Sequence, residues 1–279
     1  MSHPRELFQR YLRQRQELGD AAWVLDRQRA ARAPGGSRPG GAEGIGVRAG
    51  PPTPPPADPP AGRRSGWRKD APSVPGPGIA VPLPAQDLFT GDPLREADLS
   101  AIADLVRSCR KCHLCEGRTN AVPGEGPPDA RLVVVGEGPG ATEDETGRPF
   151  VGRAGELLTD ILTAIELPRE RVFICNIVKC RPPNNRRPQP DEIEACVPYL
   201  YAQLARLRPA VILAMGGTAA ETLLNTRQAL ASLRNRVHSF RGIPLVVTYH
   251  PAALLRNPHW KKPTWDDVRI ARQLLDASA

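Results

Sequence analysis

The chain has 279 residues, 32 of them proline and 25 glycine, and carries 38 Lys and Arg against 30 Asp and Glu, a net charge of +8. No apolar run approaches the roughly 20 residues that span a bilayer, so no membrane partner is expected, and the start, Met-Ser-His-Pro-Arg-Glu, lacks the apolar stretch of a signal peptide. The expectation is a cytoplasmic protein, in which six cysteines point to metal or redox chemistry rather than to a disulfide scaffold.

The excess charge divides evenly, +4 on either side of residue 97. That suits a polyanionic partner, because Lys and Arg displace counterions from phosphates; it also serves plain solubility. Residues 1–30 predict an amphipathic helix, with Leu7, Phe8, Tyr11, Leu12, Leu18, Trp23, Val24 and Leu25 as its apolar stripe. Such a helix could dock on a partner or on the main domain. Residues 31–96 read as a disordered Pro/Gly-rich linker, and half of the prolines lie before residue 97.

From residue 97 onward the pattern is that of a folded domain, 97–279. A helix is predicted near 98–109. Residues 131–137 form a short apolar run that ends at glycine, as a buried parallel strand does. Further strands are predicted at 172–178, 210–215 and 244–249, and helices at 153–165, 191–207, 217–225 and 265–277. Strands alternating with helices give an α/β three-layer sandwich, here with a central four-stranded, mainly parallel sheet flanked by helices. Ligands of such sheets sit beyond the carboxyl ends of the strands. That rule selects residues 136–140, 176–181, 216–217 and 250–256.

Cys109-x2-Cys112 is a tight chelating pair; Cys180 follows after 67 intervening residues and Cys196 after another 15. Four thiolates suit zinc or a [4Fe–4S] cluster, and spacing does not choose between them. Cys115 repeats the two-residue spacing from Cys112 and competes as a ligand, while Cys175 lies inside a strand and reads as a small core residue.

The strand ends carry distinctive motifs. Gly136-Glu-Gly-Pro-Gly140 follows the first strand, then Glu143-Asp144 and Thr146-Gly-Arg-Pro-Phe-Val-Gly152. Asn176-Ile-Val-Lys-Cys-Arg-Pro-Pro183 closes the second, and His250-Pro-Ala-Ala-Leu-Leu-Arg-Asn-Pro258 follows the fourth. The glycine-rich loop is neither a Walker A loop nor a dinucleotide fingerprint. Together with the cysteine spacing, the set resembles the family-4 uracil-DNA glycosylases, the iron–sulfur members of that superfamily, from about Cys109 to the C-terminus.

The resemblance implies a [4Fe–4S] cluster on Cys109, Cys112, Cys180 and Cys196, with Cys115 outside it. It implies a uracil pocket of Glu137, Gly138, Pro139, Phe150, Asn176 and His250. The chemistry agrees: an aromatic ring stacks on a flipped base, and an Asn amide offers a donor and an acceptor to uracil O4 and N3–H. A histidine beside O2 stabilises the departing uracil anion even as a neutral donor. Leu254, Leu255 and Arg256 would form a wedge that fills the vacated space in the duplex. Lys179, Arg181, Arg186 and Arg187 suit phosphate contacts.

In the best-known uracil glycosylases an Asp stands at the position of Gly138. Its absence leaves Glu137, or failing that Glu143, to orient the attacking water, so Glu137, Asn176 and His250 are the candidate catalytic set. Residues 181–195 contain no His, unlike a related branch that binds uracil-DNA covalently through a histidine there. The activity implied is monomeric hydrolysis of uracil from single- or double-stranded DNA. The alternatives are a metal-stabilised nucleic-acid-binding protein without activity and an iron–sulfur electron carrier.

Overall fold

A computed structural model describes residues 66–83 and 93–278. In chain order its main elements are β1 (Pro77–Val81), α1 (Leu99–Arg107), β2 (Leu132–Gly136), α2 (Ala141–Thr146), α3 (Arg153–Ala164), β3 (Val172–Asn176), α4 (Pro190–Leu207), β4 (Val211–Met215), α5 (Gly217–Leu224), β5 (Val237–Phe240), β6 (Ile243–Thr248), α6 (Pro251–Arg256) and α7 (Lys261–Ala277). The helix expected in residues 1–30 lies outside the described residues.

The strands β2, β3 and β4 are buried at every position. Successive side chains serve opposite faces, as the two-residue strand period requires. Val133, Val135, Phe173, Cys175, Ile212 and Ala214 pack with Ile102 and Val106 of α1, Leu200 and Leu204 of α4 and Leu223 of α5. Leu132, Val134, Val172, Ile174, Val211 and Leu213 pack with Leu158 and Leu162 of α3 and Ala271 and Leu274 of α7. Two apolar cores thus sandwich the sheet, which is why these strands read as continuous apolar runs.

The order is β1-β5-β6-β4-β2-β3. The pairs β2–β3, β2–β4, β4–β6 and β1–β5 are parallel, and β5–β6 is an antiparallel hairpin. The expected four strands and flanking helices are present, but the sheet has six strands. β5, Val-His-Ser-Phe, escapes a hydropathy pattern because half of it is polar, although His238 and Ser239 are buried. β1, Pro-Gly-Ile-Ala-Val, falls inside the stretch expected to be linker, so that linker gives up part of its length to the sheet. Helix ends follow local capping: Asp98 Oδ1 accepts from Ala101 N at 2.8 Å, and α4 opens with Pro190 and a Glu192 carboxylate that accepts from Gln189 N at 2.7 Å.

Besides its ladder with β5, the outer strand β1 is tied down by an imidazole. Ile79 N donates to His238 Nδ1 at 2.9 Å, and His238 Nε2 lies 2.6 Å from Leu233 O. One neutral tautomer, protonated on Nε2, satisfies both contacts. Burial pushes the His238 pKa below its ordinary value. Protonation would aim an N–H of the ring at the N–H of Ile79. The stabilisation is therefore present above the unfolded-state pKa of about 6.5 and is lost as pH falls below it. Hydrogen exchange at Ile79, corrected for intrinsic rate, should accelerate as pH falls from 7 to 5; a pH-independent corrected rate would contradict this account.

Candidate active site

Four parallel strands end at one edge, and the segments leaving them converge. Glu137, Gly138, Pro139 and Gly140 follow β2, Asn176 ends β3, Gly216 and Gly217 follow β4, and Tyr249 and His250 follow β6. All line one cleft of about 550 Å³, together with Phe150 and Met215. The predicted pocket residues Glu137, Gly138, Pro139, Phe150, Asn176 and His250 are therefore neighbours in space.

At the floor of the cleft Asn176 is 1% exposed, and its Oδ1 accepts no hydrogen bond. A buried carbonyl without a donor costs about 1–3 kcal/mol, so this oxygen is built to meet a donor brought in by a ligand. Gly136 makes the room. A Cβ there would stand 2.5 Å from both Asn176 Oδ1 and Phe150 Cζ. Phe150 packs beside His250, with ring centroids 5.4 Å apart and planes inclined by 31°.

Phe150 itself adopts φ +51°, a left-handed conformation that is an outlier for a bulky residue. Its loop is held from both sides. Glu143 Oε1 accepts from Val151 N and Gly152 N, each at 2.9 Å, and Oε2 accepts from Gly140 N at 3.1 Å. Arg169 donates to Phe150 O at 2.8 Å and to Pro149 O at 2.5 Å. Gly155 must lack a side chain, since a Cβ there would collide with the Phe150 carbonyl. Glu143 is thus committed to three backbone N–H groups, whereas Glu137, which lines the same cleft, accepts from none of them. Thr218 Oγ1, in the first turn of α5, donates to Glu137 Oε2 and fixes it.

His250 precedes α6 and caps it: Nδ1 accepts from Ala252 N at 3.2 Å. The neutral ring then carries its proton on Nε2. Burial, reinforced by the positive charge of Arg256, lowers the His250 pKa to about 4. The imidazole is a neutral hydrogen-bond donor at physiological pH. Gly138 packs against the segment after β3, where a Cβ would lie 2.8 Å from Val178 Cγ2; no larger side chain fits without a shift.

The wedge expected at Leu254, Leu255 and Arg256 narrows. Leu254 is a core residue at 1% exposure, because its side chain points under α6, whereas Leu255 is 41% exposed and Arg256 is also at the surface. The expected phosphate contacts shrink as well. Lys179 is buried and donates to Gln203 Oε1 at 2.8 Å, Arg186 forms a double hydrogen bond with Glu192 at 2.6 and 2.9 Å, and Arg187 pairs with Glu221. Residues that the sequence did not single out also line the cleft: Pro182, Asn185, Leu230, Tyr249 and Trp260. Pro182 lies within the Asn176–Pro183 motif but carries no chemistry that would mark it, and the other four fall outside the quoted motifs.

Cys109, Cys112, Cys115, Cys180 and Cys196 line a second, small cavity with Lys111, Lys179 and Tyr199. Cys175 is elsewhere, fully buried in β3 among core residues. Arg118 donates to Cys180 Sγ at 2.9 Å, and Lys179 N donates to Cys196 Sγ at 3.2 Å. Burial pushes the thiols of Cys112 and Cys180 up and that of Cys196 up to about 12. Clustered thiols ringed by cationic and N–H donors fit a group that binds thiolates and supplies the compensating charge.

Comparison with known proteins agrees with this geometry. Residues 123–271 match the Uracil DNA glycosylase superfamily. The chain is 47% identical over 165 residues to the type-4 uracil-DNA glycosylase of Thermotoga maritima, covering 58% of this chain and 86% of that protein. It is 46% identical over 169 residues to that of Pyrobaculum aerophilum, with 58% and 86% covered, and 44% identical over 189 residues to that of Saccharolobus solfataricus, with 64% and 88% covered.

The clamp on the Phe150 loop is open to test. Glu143→Gln turns one acceptor into an NH2 that faces a backbone N–H. It should lower stability by about 1–3 kcal/mol, read by urea or thermal unfolding. A change below about 0.5 kcal/mol, the range of an ordinary surface substitution, would show that the carboxylate does not carry the loop.

Proposed function

The chain belongs to the uracil-DNA glycosylase superfamily and, within it, to the type-4 uracil-DNA glycosylases, and we propose on that premise that it flips uracil out of DNA and hydrolyses its N-glycosidic bond, leaving free uracil and an abasic site. The observation that carries the reading is the unpartnered, buried Oδ1 of Asn176. Uracil brings a donor there, its N3–H, whereas cytosine brings the lone pair of N3 and would leave two acceptors facing each other. Phe150 offers a face for the flipped ring.

Hydrolysis passes through an oxocarbenium-like state with negative charge growing on the departing uracil, so fixed dipoles matter more than a strong base. His250 presents Nε2–H to uracil O2, and its position is locked by the Nδ1 bond to Ala252 N. Glu137, fixed by Thr218, orients the water and places negative charge near the developing cation. Leu255 enters the stack where the base has left, with Arg256 beside it at the phosphates. Acting on uracil-containing DNA, single- or double-stranded, the protein is read as a cytoplasmic monomer of base excision repair. No helix among the described residues is long and apolar enough to cross a membrane. The first 30 residues are proposed to recruit a repair or replication partner.

Uracil-containing oligonucleotides, treated with alkali after incubation, should be cleaved at uracil and nowhere else; no cleavage would overturn the proposal. His250→Ala should lower kcat by about 10²–10³, the effect of removing one donor to a developing anion. Because the His250 pKa lies near 4, wild-type kcat/KM should show no acid limb attributable to this residue down to about pH 5. A limb near 6.5 that vanishes in His250→Ala would refute the neutral-donor role.

Cys109, Cys112, Cys180 and Cys196 are proposed to hold a [4Fe–4S] cluster, with Cys115 beside it as a non-ligand. One observation supports this: the thiols share one cavity with cationic neighbours, and four thiolates are what such a cluster takes. Held by these residues, it would join the segment after α1 to the end of the β3 segment and to α4, which carries Cys196. Anaerobically purified protein should absorb near ~400 nm; replacing any of the four by Ala should remove the band, and Cys115→Ala should keep it. Loss of the band in Cys115→Ala alone would reassign the ligands.

A further inference from the structure

The cleft extends past the uracil pocket to a pair of rings that the hydrolysis does not use. Tyr249 and Trp260 stack face to face, with centroids 4.6 Å apart and planes within 8° of parallel. The pair is anchored from behind. The Arg234 guanidinium lies 4.5 Å from the Tyr249 centroid. Arg234 is itself fixed by Asp267, at 2.7 and 3.1 Å, and by Pro263 O at 2.8 Å. Asp267 is buried and also accepts from Thr248 Oγ1 at 2.8 Å. Tyr249 therefore stands on a pinned ion pair joining α7 to the segment before β5, and Trp260 stacks on Tyr249.

Both rings line the same cleft as Phe150, Asn176 and His250, and the exposed Arg256 lies along it too. Its volume, about 550 Å³, is well beyond what one pyrimidine ring fills. Single-stranded binding grooves combine such features: a fixed aromatic face for a base and a cation for the adjoining phosphate.

We propose that Trp260 is a stacking subsite for the nucleobase adjacent to the flipped uracil, with Arg256 at the phosphate between them. The subsite rests on the glycosylase reading for the identity of the ligand. It adds a contact on a neighbouring nucleotide that tolerates any base, since every base has a π-face. It also favours uracil in unpaired DNA, where that neighbour is free to leave its stack.

The test is a coupling cycle between protein and DNA. Affinities are read by fluorescence anisotropy with a labelled single strand carrying 2′-fluoro-arabino-uridine, whose fluorine opposes oxocarbenium formation and blocks turnover. The base on the 5′ side and the base on the 3′ side of the uridine are replaced in turn by an abasic spacer. Trp260→Leu keeps an apolar contact on Tyr249 but lacks the π-face; Trp260→Phe restores one. Trp260→Leu should weaken binding about fivefold to a hundredfold, the range for one base–aromatic stack, and Trp260→Phe should stay within about threefold of wild type on the same scale. One spacer should cost wild type the same factor and cost Trp260→Leu almost nothing. Unchanged affinity in Trp260→Leu, or an equal spacer penalty in both proteins on both sides, would overturn the subsite. Uracil release from ordinary DNA is measured in parallel. Intact coupling without release would count against the glycosylase reading and leave the subsite standing.

Discussion

The backbone of Phe150 is bent into a left-handed conformation, and one carboxylate and one guanidinium hold it there. Such a conformation costs on the order of 1–3 kcal/mol for a bulky residue. Glu143 gathers three N–H groups from two loops, the one after β2 and the one that carries Phe150. Arg169 fastens the same loop through the carbonyls of Pro149 and Phe150. Without those bonds the ring would have no reason to face Asn176 and His250. With them the stacking surface is set before any ligand arrives, and ordering it costs nothing at binding.

A second constraint ties the cysteine cavity to the cleft. The loop between Cys180 and Cys196 supplies Pro182, Asn185 and Arg186 to the cleft wall. Its far end is fastened by Glu192, which is buried and accepts from Arg186 and lies 2.7 Å from His113 Nε2. His113 follows Cys112 directly. The segment bearing the first two cysteines and the loop bearing the cleft wall therefore share one carboxylate. Arg186 is consumed in that role and is a poor candidate for a DNA contact, whereas Arg181 donates to the neutral Asn185 Oδ1 at 2.8 Å. A group bridging the cysteines would rigidify the wall without touching the substrate.

The central strands were legible because burial on both faces leaves an uninterrupted apolar run, as in Leu132–Gly136 and Val211–Met215. The pocket was legible because its residues sit at strand ends within dense motifs. What could not be read was anything set by pairing across the sheet. His238 and Ser239 look like surface residues in a polar tetrapeptide, yet His238 is buried because it serves Ile79 and Leu233 at once. Lys179 looks like a phosphate ligand, yet Gln203, on another element, draws it inside. Leu254 and Leu255 are indistinguishable in composition, and only the packing of α6 decides which is core. Glu137 and Glu143 are likewise alike in sequence, and only the fold shows that Glu143 accepts from three backbone N–H groups.

Local penalties collect at the carboxyl edge of the sheet. The orphan Oδ1 of Asn176, the left-handed Phe150 and the three glycines at 136, 138 and 155 that admit no Cβ without a shift all lie within or against one cleft. Each is unfavourable in the empty protein, and the apolar cores on both faces of the sheet offset them. The distribution has a chemical logic. An acceptor that is satisfied only by a ligand's N–H converts its own desolvation into selectivity, because a base with the wrong edge leaves it unsatisfied. On the proposed mechanism, His250, kept neutral by burial, would offer a hydrogen bond without placing a full charge beside the sugar as it becomes cationic. Strain and burial at this edge are thus what distinguish a site that only holds a pyrimidine from one arranged to release it.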